Sequence, residues 1–134
     1  MNQSFAALLL AARRERQPVI ATALTDGAPS GQARQARLAQ QQGAEALELR
    51  ADLLVDPAQV RAALTAVRAA SSLPLLLTYR SATEGGKGAG HGQGYEDYLA
   101  SLLQLRPAVA AVDIEMACPA SKALVAEAKA GGYD

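Results

Sequence analysis

From Pro18 onward, short apolar segments alternate with longer stretches of helical pattern, and no other feature of the chain narrows its fold as much. That alternation is the mark of βα units and a parallel sheet. It predicts strands at residues 19–24, 46–51, 75–80 and 109–116, with helices at 30–42, 57–70, 95–105 and 119–130. Successive strands begin roughly 25 to 35 residues apart, as they should when each crossover holds a helix. Ser30 is expected to cap a helix, Pro57 and Pro119 suit first helical turns, and Gly43, Gly131 and Gly132 stand where helices should stop. Residues 1–17 lie outside this pattern. The apolar run at 5–12 is too short to span a bilayer, and Arg13, Arg14 and Arg16 follow it instead of preceding it, the wrong order for a signal peptide. An amino-terminal helix or leader is expected there, with the domain proper at 18–134.

Side chains alternate faces along a strand, so Glu48, Arg50 and Asp52 share one face of the second strand and Leu47, Leu49 and Ala51 the other. The third strand repeats this with Leu76, Thr78 and Arg80 against Leu75, Leu77 and Tyr79. The fourth does so with Ala111, Asp113 and Glu115 against Val112, Ile114 and Met116. In an open sheet covered by helices on both faces, these charges would be pressed against apolar helices at a high desolvation cost. A barrel removes the conflict: apolar residues face the surrounding helices, and charges near the carboxyl ends point into the mouth. On the first strand, Thr22 is expected to occupy the corresponding face.

Glu48, Arg50, Asp52, Arg80, Asp113 and Glu115 admit two readings. They form an internal ion network that fixes strand register, or a pocket in which carboxylates accept from hydroxyls and guanidinium forks donate to oxygens. The second suits a small, polyhydroxylated, anionic ligand. With 13 basic and 13 acidic residues the chain has no net charge, hence no global field to gather nucleic acid or anionic lipid. Its single cysteine, Cys118, excludes an internal disulfide and a cysteine-rich metal site, in keeping with a reducing, cytoplasmic setting.

Residues 81–94 hold six of the eleven glycines and are expected to form a mobile loop at the carboxyl edge of the sheet. Lys87 within it fits neither phosphate-binding nor dinucleotide-binding glycine spacing. The only histidine, His91, is expected to be solvated there. Cys118 is expected to be an inert thiol, and Tyr95 and Tyr98, one helical turn apart, to be packing residues.

Three segments in order, Glu48-Leu49-Arg50-Ala51-Asp52-Leu53-Leu54, then Pro74-Leu75-Leu76-Leu77-Thr78-Tyr79-Arg80 leading to Glu84-Gly85-Gly86, then Val112-Asp113-Ile114-Glu115, resemble type I 3-dehydroquinate dehydratase. The resemblance runs from about Pro18 to the end. It implies an α/β fold of the parallel (βα)8 TIM-barrel type, with about four of the eight units present. It also implies dehydration of 3-dehydroquinate to 3-dehydroshikimate in the shikimate pathway, without metal or organic cofactor. By resemblance, Glu48, Arg50, Arg80, Glu84 and Thr22 would contact the substrate, with Asp52, Asp113 and Glu115 in support. The family's chemistry needs a lysine that forms a Schiff base and a histidine that moves the proton. Lys87, Lys122, Lys129 and His91 match neither position, so both catalytic residues are expected beyond Asp134 and this chain alone is expected to be inactive. Four strands would also leave two apolar edges, which makes a homodimer, or a non-catalytic half-barrel that binds a ligand or pairs with another half, the alternative.

Overall fold

A computed structural model describes residues 4–105 and 111–134. Its elements alternate as the pattern requires: α1 (Phe5–Glu15), β1 (Ala21–Leu24), α2 (Pro29–Gln41), β2 (Ala46–Arg50), α3 (Pro57–Ala70), β3 (Leu75–Thr78), α4 (Gln93–Leu103), β4 (Ala111–Val112) and α5 (Ser121–Ala130). Local chemistry sets the helix starts. Asp56 caps α3 by accepting from the Gln59 N–H, and Pro57 takes the first helical position, where its missing N–H leaves no bond unmade. The same preference corrects the expected cap of α2. Pro29 opens that helix with Ala28 before it, so Ser30 falls inside the first turn. Pro119 lies just ahead of α5 instead of within it. Gly43 and Gly132 follow their helices at φ 93° and 81°, a backbone region that glycine enters without a Cβ penalty.

The amino-terminal segment is a helix. Ser4 caps α1, and the Asp134 carboxylate accepts from the Ser4 hydroxyl at 2.8 Å and the Ala6 N–H at 2.9 Å. A negative charge is well placed there, against the positive end of the helix dipole. Among the described residues no helix is long and apolar enough to cross a membrane.

All strand pairs are parallel, in the order β1-β2-β3-β4. Each strand therefore lies beside the one before it, and α2 packs on α3, α3 on α4 and α4 on α5. Right-handed crossovers between sequential neighbours place their helices on one side, unlike the reversal of strand order in a doubly wound sheet. Leu24, Leu47, Leu49, Leu75 and Leu77 supply the sheet's contribution to the core, and Val60, Leu64, Val67, Leu99 and Leu102 supply that of the helices.

Register decides which residues share the opposite, inner face. Glu48 pairs with Leu76 and Arg50 with Thr78, while Leu76 pairs with Ala111; the expected polar face is thus continuous across β2, β3 and β4. On β1 the register departs from expectation. Thr22 pairs with Leu47, and Ala23 with Glu48. Thr22 accordingly faces the helix layer, in a groove with Leu38, Ala39 and Gln42, and the inner face of β1 carries alanines. The fourth strand is also shorter than expected. Val109 lies outside the described residues, and after Val112 the Asp113 N–H still donates to the Leu77 carbonyl at 2.9 Å before a turn closed from Cys118 to Glu115 ends the extended path.

Leu77, fully buried at the centre of the sheet, should be among the costliest truncations. Leu77→Ala is expected to lower stability by about 3 kcal/mol, read as a fall in the urea midpoint with an unchanged slope.

Candidate active site

The polar inner face converges at the carboxyl ends of β2, β3 and β4. Glu48 accepts from the Thr78 hydroxyl at 2.7 Å. Arg50 forms a two-pronged pair with Asp52, at 2.9 Å from Nε and 2.8 Å from a terminal nitrogen. The chain leaves β2 through a short 3-10 turn at Ala51–Leu53, which folds Asp52 back beneath the strand end. There its side chain is fully shielded and also accepts from the backbone N–H groups of Arg80 at 3.3 Å and Lys87 at 3.0 Å. Arg80 stands among three carboxylates: Glu84 at 2.8 Å, and Asp113 and Glu115 each at 3.5 Å.

The glycine-rich segment is not a free loop. Gly86 N–H donates to the Ser81 carbonyl at 2.8 Å, Gly88 N–H to the Arg80 carbonyl at 3.0 Å, and Ala89 N–H to the Tyr79 hydroxyl at 2.8 Å. Glycine is required by this closeness: a Cβ on Gly86 would lie 2.2 Å from the Arg80 carbonyl oxygen, and one on Gly88 at 2.7 Å. His91, expected to be solvated, instead turns inward. Its side chain is 13% exposed and its Nε2 lies 2.6 Å from the fully shielded Glu115 carboxylate. Beneath the loop, Tyr98 stacks on Tyr79 with ring centres 4.1 Å apart, and Tyr95, buried, flanks the same ring at 5.6 Å. These tyrosines are packing residues.

The charges polarise one another. Burial pushes the Asp52 carboxyl up, but Arg50 and the two amide donors more than offset it, and Asp52 ionises below the usual aspartate range. Glu115 behaves likewise: burial raises it, while Ser81, His91 and Arg80 together bring it below an ordinary glutamate. Asp113 moves the other way. Burial raises it, Arg80 only partly opposes that, and the carboxylates of Glu115, Glu48 and Glu84 add to it. The mouth thus combines firmly ionised carboxylates with one that holds its proton more readily, beside two guanidinium forks.

The structure brings together Glu48, Arg50, Asp52, Arg80, Glu84, Asp113 and Glu115, with Glu84 delivered by a turn at Ala82–Glu84. Thr22 is not among them. Lys122 and Lys129 are exposed on α5, Lys87 is exposed in the loop, and Cys118 is buried. Glu84, His91 and Glu115 offer donor atoms within 4.8 Å of one another, as a metal ion would need, but the Arg80 guanidinium already neutralises that group from 2.8 Å and 3.5 Å. Sequence reasoning missed His91 and Ser81, whose N–H also donates to Glu115. Neither carries a local signal, because their shared partner is 24 and 34 residues away.

A parallel, singly ordered sheet with charged groups gathered at its carboxyl edge is the pattern of the barrel-type α/β fold class. The family model for type I 3-dehydroquinase matches residues 20–133, and this chain belongs to that family. It is 43% identical over 110 residues to a 3-dehydroquinate dehydratase of Methanoregula boonei, covering 81% of this chain and 47% of that protein. With the enzyme of the same name from Methanosarcina barkeri the identity is 37% over 100 residues, covering 72% and 41%. The structure of 3-dehydroquinate dehydratase from Enterococcus faecalis superposes with a TM-score of 0.76 at 25% identity, over 87% of this chain and 51% of that one. A type I enzyme from Clostridium difficile, solved with covalently modified comenic acid, gives 0.77 at 19% identity over 87% and 48%. The chain spans about half the length of the relatives it matches, and the four parallel strands among its described residues correspond to about half of a TIM barrel.

Because Asp52 ionises below its unfolded value, its contribution to stability is complete above the ordinary aspartate range, roughly pH 4, and is lost as pH falls through the folded value. Urea midpoints measured from pH 7 down to pH 2 should fall steeply at the acid end, and Asp52→Asn should flatten that limb while lowering stability at pH 7. Gly86→Ala should force the loop off the strand end, seen as faster amide exchange at position 86 and at Gly88 with core amides unchanged.

Proposed function

We propose that this chain forms the part of a 3-dehydroquinate dehydratase that grips the substrate, with residues 18–134 as the first half of its (βα)8 barrel and 1–17, which include the helix Phe5–Glu15, as a segment before it. The observation that carries this is the convergence of Arg50 and Arg80 with Glu48, Glu84, Asp113 and Glu115 at one sheet edge. A small polyhydroxylated carboxylate needs both kinds of group: guanidinium donors for its oxygens and carboxylate acceptors for its hydroxyls. Glu48, Arg50, Arg80 and Glu84 would contact the substrate. Asp52 would hold Arg50, while Asp113 and Glu115 would hold Arg80.

The dehydration, in the shikimate pathway, proceeds in this family through an imine between a lysine and the substrate ketone, which acidifies the neighbouring carbon. That lysine must sit desolvated in the pocket. Lys87, Lys122 and Lys129 are all exposed, and His91 is engaged with Glu115, so neither the nucleophile nor the histidine that moves the proton is assigned to this chain, which alone is inactive. A cytoplasmic setting suits the free thiol of Cys118. Grooves along both outer strands, a mixed one with Ile20, Leu38, Gln35 and Gln42 beside β1 and a mainly apolar one with Val112, Ile114 and Tyr133 beside β4, favour a second reading in which the half-barrel pairs with another half, as in a homodimer. Sedimentation of the purified chain separates the two: a monomer at micromolar concentration would rule out self-pairing.

Titration with 3-dehydroquinate should show saturable binding that Arg50→Ala or Arg80→Ala weakens about tenfold or more. Borohydride reduction in its presence should leave all three lysines unmodified by mass spectrometry. An adduct on any of them would overturn the assignment of the nucleophile elsewhere.

A further inference from the structure

We propose that His91 is a positioning residue for the ligand-gripping groups: by bonding Glu115, it clamps the glycine-rich segment to the sheet edge and fixes where Arg80 and Glu84 point. The proposal rests on the substrate reading above for its functional consequence, but the clamp itself rests on geometry. Glu115 is a shielded carboxylate with two oxygens to satisfy. One accepts from the Ser81 N–H at 2.9 Å and faces Arg80 at 3.5 Å; the other lies 2.6 Å from His91 Nε2. His91 is held in turn at its own backbone, whose N–H donates to the Thr83 hydroxyl at 2.9 Å, and its ring leans on Tyr95 at 5.4 Å. Thr83 belongs to the same short turn as Glu84. One imidazole therefore joins the turn that carries Glu84, the carboxylate that faces Arg80, and the end of the loop where Gly92, at φ 139°, redirects the chain into α4.

Removing the imidazole would leave a buried carboxylate oxygen without this partner, and Glu115 would be free to draw Arg80 toward itself and away from Glu84. The bond is directional. A glutamine amide nitrogen stands four bonds from Cα, as histidine Nε2 does, whereas the asparagine amide nitrogen stands one bond short. His91→Gln should therefore restore what His91→Asn and His91→Ala lose.

The test compares these three variants of the full chain by amide hydrogen exchange and by titration with 3-dehydroquinate. His91→Ala and His91→Asn should each speed exchange at Ser81 and Gly86 and weaken binding, both by about tenfold, with Leu49 and Leu77 amides unchanged. His91→Gln should stay within about threefold of wild type in both. Unchanged exchange in His91→Ala would overturn the proposal. So would a glutamine variant as impaired as the alanine one, or exchange that rises uniformly through the core. If the wild-type chain shows no binding of 3-dehydroquinate, the substrate reading fails, and the exchange series still decides the clamp.

Discussion

The pair between Arg50 and Asp52 is the joint on which the rest of the carboxyl edge is assembled. Two parallel hydrogen bonds fix the guanidinium in a plane, and the same carboxylate collects amide N–H groups from the end of β3 and from the glycine-rich segment. A fully shielded aspartate is costly unless its oxygens are filled. Here they are filled by donors from three places in the chain, so the satisfaction of one charge brings β2, β3 and the loop into a fixed relation. Glu115 plays the matching part on the far side, joining the end of β3 to the loop through Ser81 and His91.

This wiring explains why the inner face of a leucine-rich sheet tolerates so many charges. Leu47, Leu49, Leu75 and Leu77 point to the helices and are buried, while Glu48 and Thr78 on the opposite face look toward the mouth and are paired with one another. Asp113, raised by burial and by the carboxylates of Glu115, Glu48 and Glu84 and only partly offset by Arg80, holds its proton more readily than an ordinary aspartate. Both guanidinium groups are held in place by ion pairs at 2.8 Å, Arg50 with Asp52 and Arg80 with Glu84.

Most of the architecture was legible in the sequence. Strong alternation in β2, β3 and β4 told polar face from apolar face, and Glu48 and Arg50 lie where that alternation puts them, whereas Asp52, Arg80, Asp113 and Glu115 fall past the strand ends and reach the same edge through turns. On β1 the pattern carried little information, because Ala21, Thr22 and Ala23 differ too little in polarity to mark a face; the register with β2 set Thr22 toward the helices. Helix starts were readable where a proline and an acidic cap coincide, as at Asp56 and Pro57, and misplaced where serine and proline compete, as at Ser30.

The loop shows where local reading ends. Its glycines looked like flexibility, yet Gly86 and Gly88 are small because they lie against the Arg80 backbone, a fact of approach between distant segments. His91 looked solvated because it lies in the middle of a glycine-rich loop; its partner, Glu115, lies just past the fourth strand. The sequence by itself determined the succession of strands and helices, the two-faced character of the sheet and the set of charges at its edge, since those follow from periodicity and residue type. Only the tertiary structure decided the strand register, the partners of each carboxylate and the inward turn of the histidine, because pairing between groups tens of residues apart depends on how the chain closes in space.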